Sequence, residues 1–303
     1  MRKYRQYVLP AALVLGLLLH NICATLSFIV PYLIFTILLL TFTAVDLRKL
    51  RPRRMDFILL AYQVSMAAGC YLLITHCGGN KTVAEGVMMA SLCPVAASST
   101  VVACMLGADR RTMTGYSIFG NLGIALVAPL FFTLIGDHPE HSLGASYLLM
   151  LGKISSTLAL PFFIALALQA FLPKINDAVA KRTGWSYYVW AVALLLTIGQ
   201  TIHFIFEHGE GNWGTIAWLG GLSLVFCIGQ FFVGRKVHPW LADKISGAQL
   251  MGQKNSAMGI WMCGMFLQPL ASVTMAFYSV FQNLFNAWQI ARHNKRQSTV
   301  TQN

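Results

Sequence analysis

Apolar stretches recur from one end of this 303-residue chain to the other, each close to the roughly 20 residues a helix needs to cross about 30 Å of hydrocarbon. They cannot all pack into one soluble core, because 56% of the residues are apolar and only 11% are charged. In lipid every backbone N–H and C=O must be paired inside the structure, so only helices and closed barrels span a membrane. The stretches are rich in Leu, Ala and Phe and lack the period-two alternation of barrel strands. The fold class read from the sequence is therefore an all-α polytopic membrane protein.

About ten spans are expected, near 7–24, 28–44, 57–75, 83–106, 113–135, 147–172, 185–206, 214–234, 247–267 and 271–291. Met1 to Arg5 and the apolar run that follows resemble a signal peptide in charge layout. A second apolar run starts near Phe28, so the segment is read as helix 1. With a cytoplasmic N-terminus, Arg48, Lys49, Arg51, Arg53, Arg54, Arg110, Arg111, Lys174, Lys181, Arg182, Arg235, Lys236 and Lys244 fall on the inner side, as do Arg292, Lys295 and Arg296. The outer loops carry Lys81 beside Asp137, Glu140, Glu207 and Glu210. This positive-inside asymmetry predicts a multi-pass protein of a bacterial inner membrane with both termini cytoplasmic. The net charge of +12 sits in short loops, which points away from nucleic acid. The seven cysteines lie in apolar segments without zinc or haem spacing, and no metal centre or cofactor is expected.

Span 4 carries Ser91-Leu-Cys-Pro94-Val-Ala-Ala-Ser98-Ser99-Thr100, where proline removes a donor and clashes with the preceding turn. Five spans later, span 9 carries Ser246-Gly-Ala-Gln249-Leu-Met-Gly252-Gln253-Lys254-Asn255-Ser256, a polar stretch punctuated by glycine. Both helices should break. Irregular backbone at membrane depth survives only where protein or a wet cavity covers it. Matched breaks in two halves are the sequence pointer to a transporter's binding site. A repeat of five spans enters the membrane from opposite sides in its two copies, so the repeats are expected to be inverted, 1–140 and 141–303. Half-helix N-termini at the breaks favour an anionic ligand.

Together, Cys93-Pro94 with Ser99-Thr100, Gly252 with Asn255, Gln63, and Gln282-Asn283 resemble the bile acid:sodium symporter family, in order and spacing over nearly the whole chain. That resemblance implies a core domain of helices 3–5 and 8–10, with 4 and 9 crossing, and a panel domain of helices 1, 2, 6 and 7. It implies substrate-facing positions at Asn255, Asn283, Ser98, Ser99 and Gln282. The first sodium site of the family would map to Ser99, Thr100, Ser117 and Asn121, and the second to Gln63 and the span 9 crossover, which includes Gln253.

One departure is informative. The family's crossover reads Glu-x-Gly-x-Gln-Asn, whereas this chain reads Leu250-Met-Gly252-Gln253-Lys254-Asn255. The shared carboxylate is lost and an ammonium stands where a hard oxygen donor would serve a cation, so neither sodium site is expected to work. Gln249 could return an oxygen by a register slip, though not the charge. Lysine in the centre of a span costs about 3 kcal/mol on insertion scales. Three readings of Lys254 stand. It is a built-in cation that replaces sodium and bonds Gln63 and crossover carbonyls. It exchanges protons near physiological pH, since desolvation disfavours the charged amine, and couples transport to them. Or it snorkels to the interface. Lys153 is read as a snorkelling residue, His20 and His203 as membrane-edge or packed histidines, and Glu85 as a solvated helix-end residue.

The expected function is secondary transport, by alternating access, of a bile acid or other small organic anion, sodium-independent and open to proton linkage. A sodium-coupled organic anion symporter and a non-transporting membrane sensor that binds the anion are the alternatives. An enzyme is not expected, because no intramembrane His, Asp and Glu constellation offers an acid–base pair or nucleophile.

Overall fold

A computed structural model describes residues 8–96, 98–136, 142–208, 211–236 and 243–302. Met1 to Arg5, Asp137, Glu140 and Glu210 lie outside the described residues, as does the boundary at 140/141 between the expected repeats.

The described chain is helical. In order it runs α1 (Val8–Leu18), α2 (His20–Thr25), α3 (Val30–Thr43), α4 (Arg54–His76), α5 (Lys81–Leu92), α6 (Ser98–Met105), α7 (Arg110–Ile135), α8 (Leu143–Leu158), α9 (Leu160–Phe171), α10 (Pro173–Ala180), α11 (Ser186–His208), α12 (Trp213–Lys236), α13 (Lys244–Gly252), α14 (Ser256–Phe266) and α15 (Ser272–Gln302). Among the described residues five stretches are long and apolar enough to cross a membrane: His20–Thr43, Arg54–His76, Thr112–Ile135, Thr183–Glu207 and Trp213–Lys236. A sixth forms if α8 and α9, bent by 47° at Ala159, count as one span. Large apolar side chains such as Leu72, Leu73, Leu126, Leu134, Trp218 and Phe232 are exposed around the outside, where a soluble protein would aggregate and a lipid-facing one is at home.

The first boundary differs from expectation. The sequence suggested a break near Ser27; instead the chain turns at Leu19, and α2 and α3 form one 24-residue stretch. The polar pair His20-Asn21 opens α2 directly after this turn. The rings of His20 and His203 lie 5.7 Å apart, and His203 shares a 2.9 Å hydrogen bond with Asn21 and a 3.2 Å contact with Glu207. Ser27 lies within a continuous helical stretch, and the nearby Thr25 hydroxyl is absorbed by the Asn21 carbonyl one turn back.

At the other end of α3 the last carbonyls, which have no partner within a helix, are taken by side chains from afar. Gln169 donates to the carbonyls of Val45 (2.7 Å) and Phe42 (3.3 Å) and accepts from the Leu47 N–H (3.0 Å). Asn176 donates to Thr43 O and Thr183 to Leu40 O.

Where lipid is the solvent, helices associate through close packing and interhelical hydrogen bonds. The α12–α13 hairpin shows both requirements. A Cβ on Gly234 would fall 2.3 Å from Gly247 O, and one on Gly252 would fall 2.4 Å from the Phe231 ring. Glycine lets backbone touch backbone at Gly234 and lets an aromatic ring press on the backbone at Gly252. Helices α4 and α5 make another hairpin earlier in the chain, and α5 also packs on α12 and α15. Glu85, expected to be solvated, is buried on α5: it accepts a 2.8 Å hydrogen bond from Gln268 N and lies 4.0 Å from Lys81. The turn Pro269–Ala271 packs on α5 at this end, removing the solvent that the sequence position promised.

Candidate functional site

Both expected breaks are present. α5 ends at Leu92, before Pro94, and the chain resumes as α6 at Ser98; α13 ends at Gly252 and resumes as α14 at Ser256. The two unwound segments meet. Val95 and Lys254 form an antiparallel bridge, closed by Asn255 N donating to Pro94 O (2.8 Å) and Ala96 N donating to Gln253 O (3.2 Å). In a pair of this kind the flanking residues make the bonds, and the central residue's own N–H and C=O point away from its partner. Those of Lys254 therefore need another partner at a depth where water is scarce. Gln282 of α15 serves both, its Oε1 accepting from Lys254 N at 2.8 Å and its Nε2 donating to Lys254 O at 3.0 Å, an oxygen that also accepts from Ser256 N at 2.9 Å.

The Lys254 side chain runs inward. The residue is 2% exposed, and Nζ donates to Ser91 O at 2.9 Å, at the C-terminal end of α5. Carbonyls at a helix C-terminus carry partial negative charge and attract cations. Gln63 completes this helix end by donating to Leu92 O (2.8 Å) and Cys93 O (2.7 Å) while its Oε1 accepts from the Tyr116 hydroxyl (3.1 Å). The ammonium thus joins Gln63 on one set of carbonyls and does not bond Gln63 itself, as the sequence reading had it. The snorkelling reading fails, because the amine is held inside the bundle. Lys153, by contrast, is exposed on α8.

The other expected residues divide. Asn255 accepts from Met258 N at 3.3 Å and caps α14, and its carbonyl accepts from the Cys93 thiol at 3.0 Å. Ser99 is buried on α6, and Ser117 and Asn121 are buried one turn apart on α7. Ser99 Oγ, Ser117 Oγ and Asn121 Oδ1 have no hydrogen-bond partner among the described residues. Thr100 is half-buried on α6 and Gln253 is buried in the unwound segment; the side chain of Ser98 lies outside what is described. Gln249 does not turn towards the crossover: its amide donates to Asn286 Oδ1 at 3.1 Å on α15. Asn283 is spent on its own helix, donating to Ser279 O at 2.7 Å, and stays apart from the crossover bonds.

Three buried groups at the site carried no sequence signal. Tyr116 holds Gln63, the Gln230 amide donates to Ala90 O at 2.9 Å, and the Tyr278 hydroxyl donates to Gly252 O at 2.8 Å. Gln230 and Tyr278 each close a backbone carbonyl at or beside a helix end, and Tyr116 acts through the Gln63 side chain.

Ser99, Ser117 and Asn121 offer neutral oxygens without partners among the described residues, of the kind a hard cation takes. At the crossover they do not fit, because the Lys254 amine and Gln63 already occupy the carbonyls of α5. Among the described residues no group of three or more His, Cys, Asp or Glu side chains could hold a metal ion. No protein-family model matches the chain, and no curated protein matches it.

Proposed function

We propose that this membrane protein is a secondary carrier of a small organic anion, of the bile acid or a smaller carboxylate or sulfonate class, working by alternating access without sodium. The observation that carries the reading is the crossing of two broken helices around a buried lysine. Burying an ammonium costs several kcal/mol after relaxation. The bond to Ser91 O contributes about 1.5–3 kcal/mol as a charged hydrogen bond, and the helix end at most about 2 kcal/mol. No ion pair reaches Lys254 among the described residues. An anionic substrate would supply the missing counter-charge.

The architecture proposed for it is that of the bile acid:sodium symporter family: inverted repeats 1–140 and 141–303, a core of spans 3–5 and 8–10, and a panel of spans 1, 2, 6 and 7. Both termini would be cytoplasmic in a bacterial inner membrane. In its support, the α4–α5 and α12–α13 hairpins correspond, each leads into a broken helix, and the two breaks pair with each other. In this reading Lys254 takes the place of a sodium ion at the end of α5, and Asn255 and Asn283 turn to the substrate in another state of the cycle.

A second reading keeps sodium. In its support, buried oxygens on Ser99, Ser117 and Asn121 have no partner among the described residues, and they are of the kind that sodium takes.

Uptake of labelled taurocholate into proteoliposomes separates these readings. An inward sodium gradient is compared with sodium-free potassium buffer at equal pH and membrane potential, and the potassium arm is repeated across a proton gradient. Equal uptake in the first two arms supports the sodium-free carrier, and stimulation in the third adds proton linkage. Uptake with sodium alone sinks the first reading in favour of the second. Binding without uptake in any arm overturns both in favour of a membrane sensor.

A further inference from the structure

Helix α15 carries Ser279, Gln282, Asn286 and Gln289, all buried at 5% exposure or less. Their spacing of three, four and three residues puts them on one face of the helix. A buried polar seam is the reverse of what such a face normally carries in lipid, where unpaired polar groups are costly.

Its direct partners are few. Gln282 clasps the Lys254 backbone, Asn286 Oδ1 accepts from Gln249 Nε2, and Gln289 Oε1 accepts from Arg235 Nη2 at 3.3 Å. Ser279 Oγ, Gln249 Oε1, Asn286 Nδ2 and Gln289 Nε2 have no partner among the described residues. Each such group costs about 1–3 kcal/mol if left dry, and four together rival the whole stability margin of about 5–15 kcal/mol for a folded protein. Donors and acceptors are both present, so no ion of one sign satisfies them all. Water does, since a buried water makes two to four hydrogen bonds to polar groups of both kinds. Arg235, in the last turn of α12, is exposed, so the seam reaches the surface at its basic end.

We infer that the seam between α15 and the α12–α13 hairpin holds a file of bound water, running from the Arg235 surface past Gln289, Asn286 and Gln249 to the Gln282 clasp on Lys254. The file keeps the crossover in contact with water on one side of the membrane and gives protons a hydrogen-bonded route to mid-membrane. This holds whether or not the chain carries an anion.

The test labels full-length variants in membrane vesicles with methanethiosulfonate ethylammonium and reads the 272–302 segment, which contains no native cysteine, by mass spectrometry. Asn286→Cys and Gln289→Cys report the seam. Met275→Cys, fully buried on α15, reports the dry core, and Leu284→Cys, 60% exposed, reports the lipid face. The thiolate, which forms where water reaches, attacks the sulfenyl sulfur of the reagent, forming a mixed disulfide and expelling methanesulfinate, so the seam positions should label at least about tenfold faster than both controls. Labelling of Asn286→Cys and Gln289→Cys at the Met275→Cys rate overturns the inference. Modification of the buried native Cys263 in a seam variant would report unfolding. An experimental map of the unaltered protein that resolves ordered water then decides: density between Gln249, Asn286 and Gln289 upholds the file, and direct dry contact removes it.

Discussion

The side chain of Gln282 pairs with the backbone of Lys254 as a neighbouring strand would, taking its N–H at 2.8 Å and giving to its C=O at 3.0 Å. One amide so stands in for a missing strand on the side of Lys254 that Val95 cannot reach. Gln282→Leu leaves the Lys254 N–H buried and unpaired, at about 1–3 kcal/mol, and leaves Lys254 O with the Ser256 N–H alone. A clear fall in the thermal transition in detergent is expected. A transition equal to the parent's would remove the clasp as a stabilising element.

Lys254→Gln and Lys254→Met separate charge from shape. Either change relieves the desolvation cost of a buried ammonium, but only glutamine can still donate to Ser91 O, so Lys254→Gln should unfold no earlier than the parent and Lys254→Met no later than Lys254→Gln. Anion affinity should fall by about tenfold or more, equivalent to roughly 1.4 kcal/mol. Titration with taurocholate checks this, and unchanged affinity in both variants would falsify the counter-charge role of the lysine.

Gly234→Ala and Gly252→Ala probe the same hairpin against different obstacles. At Gly234 the new methyl meets the Gly247 carbonyl, which is backbone; at Gly252 it meets the Phe231 ring, a side chain. Overpacking costs about 1–3 kcal/mol, and Gly234→Ala should lie at the upper end because backbone cannot swing aside. Adding Phe231→Leu should recover part of the loss in Gly252→Ala and none in Gly234→Ala, as read from unfolding transitions of the single and double variants.

Gln63→Leu frees the carbonyls of Leu92 and Cys93 and strands the Tyr116 hydroxyl. Tyr116→Phe removes one bond of the same network, a loss of about 1 kcal/mol. Gln63→Leu should therefore be the more damaging change, and the reverse order in a thermal melt would show that Tyr116 has a separate role.

The two breaks were legible because proline and a run of glycine and amides act locally: Pro94 cannot continue a helix wherever it sits. The path of Lys254 was not legible, because it depends on where the end of α5 lies 163 residues away in sequence. Gln282 and Asn283 show how far a pattern reaches. They are adjacent in the sequence and looked alike, yet one holds the crossover and the other bonds to its own helix. Side chains a residue apart leave a helix about 100° apart, so only the position of α13 decides which of them meets Lys254. Glu85 failed for the same reason: its cover comes from the turn before α15, which no local pattern places.

The bonds from Asn255 to Pro94 and from Ala96 to Gln253 amount to a splice between the front and back of the polypeptide. Two such bonds share a load pulled along the strands and fail one after the other when peeled. Tension that slides α5 and α6 past α13 and α14 meets the joint at its strongest, whereas a hinge opening at one end of it undoes a single bond at a time.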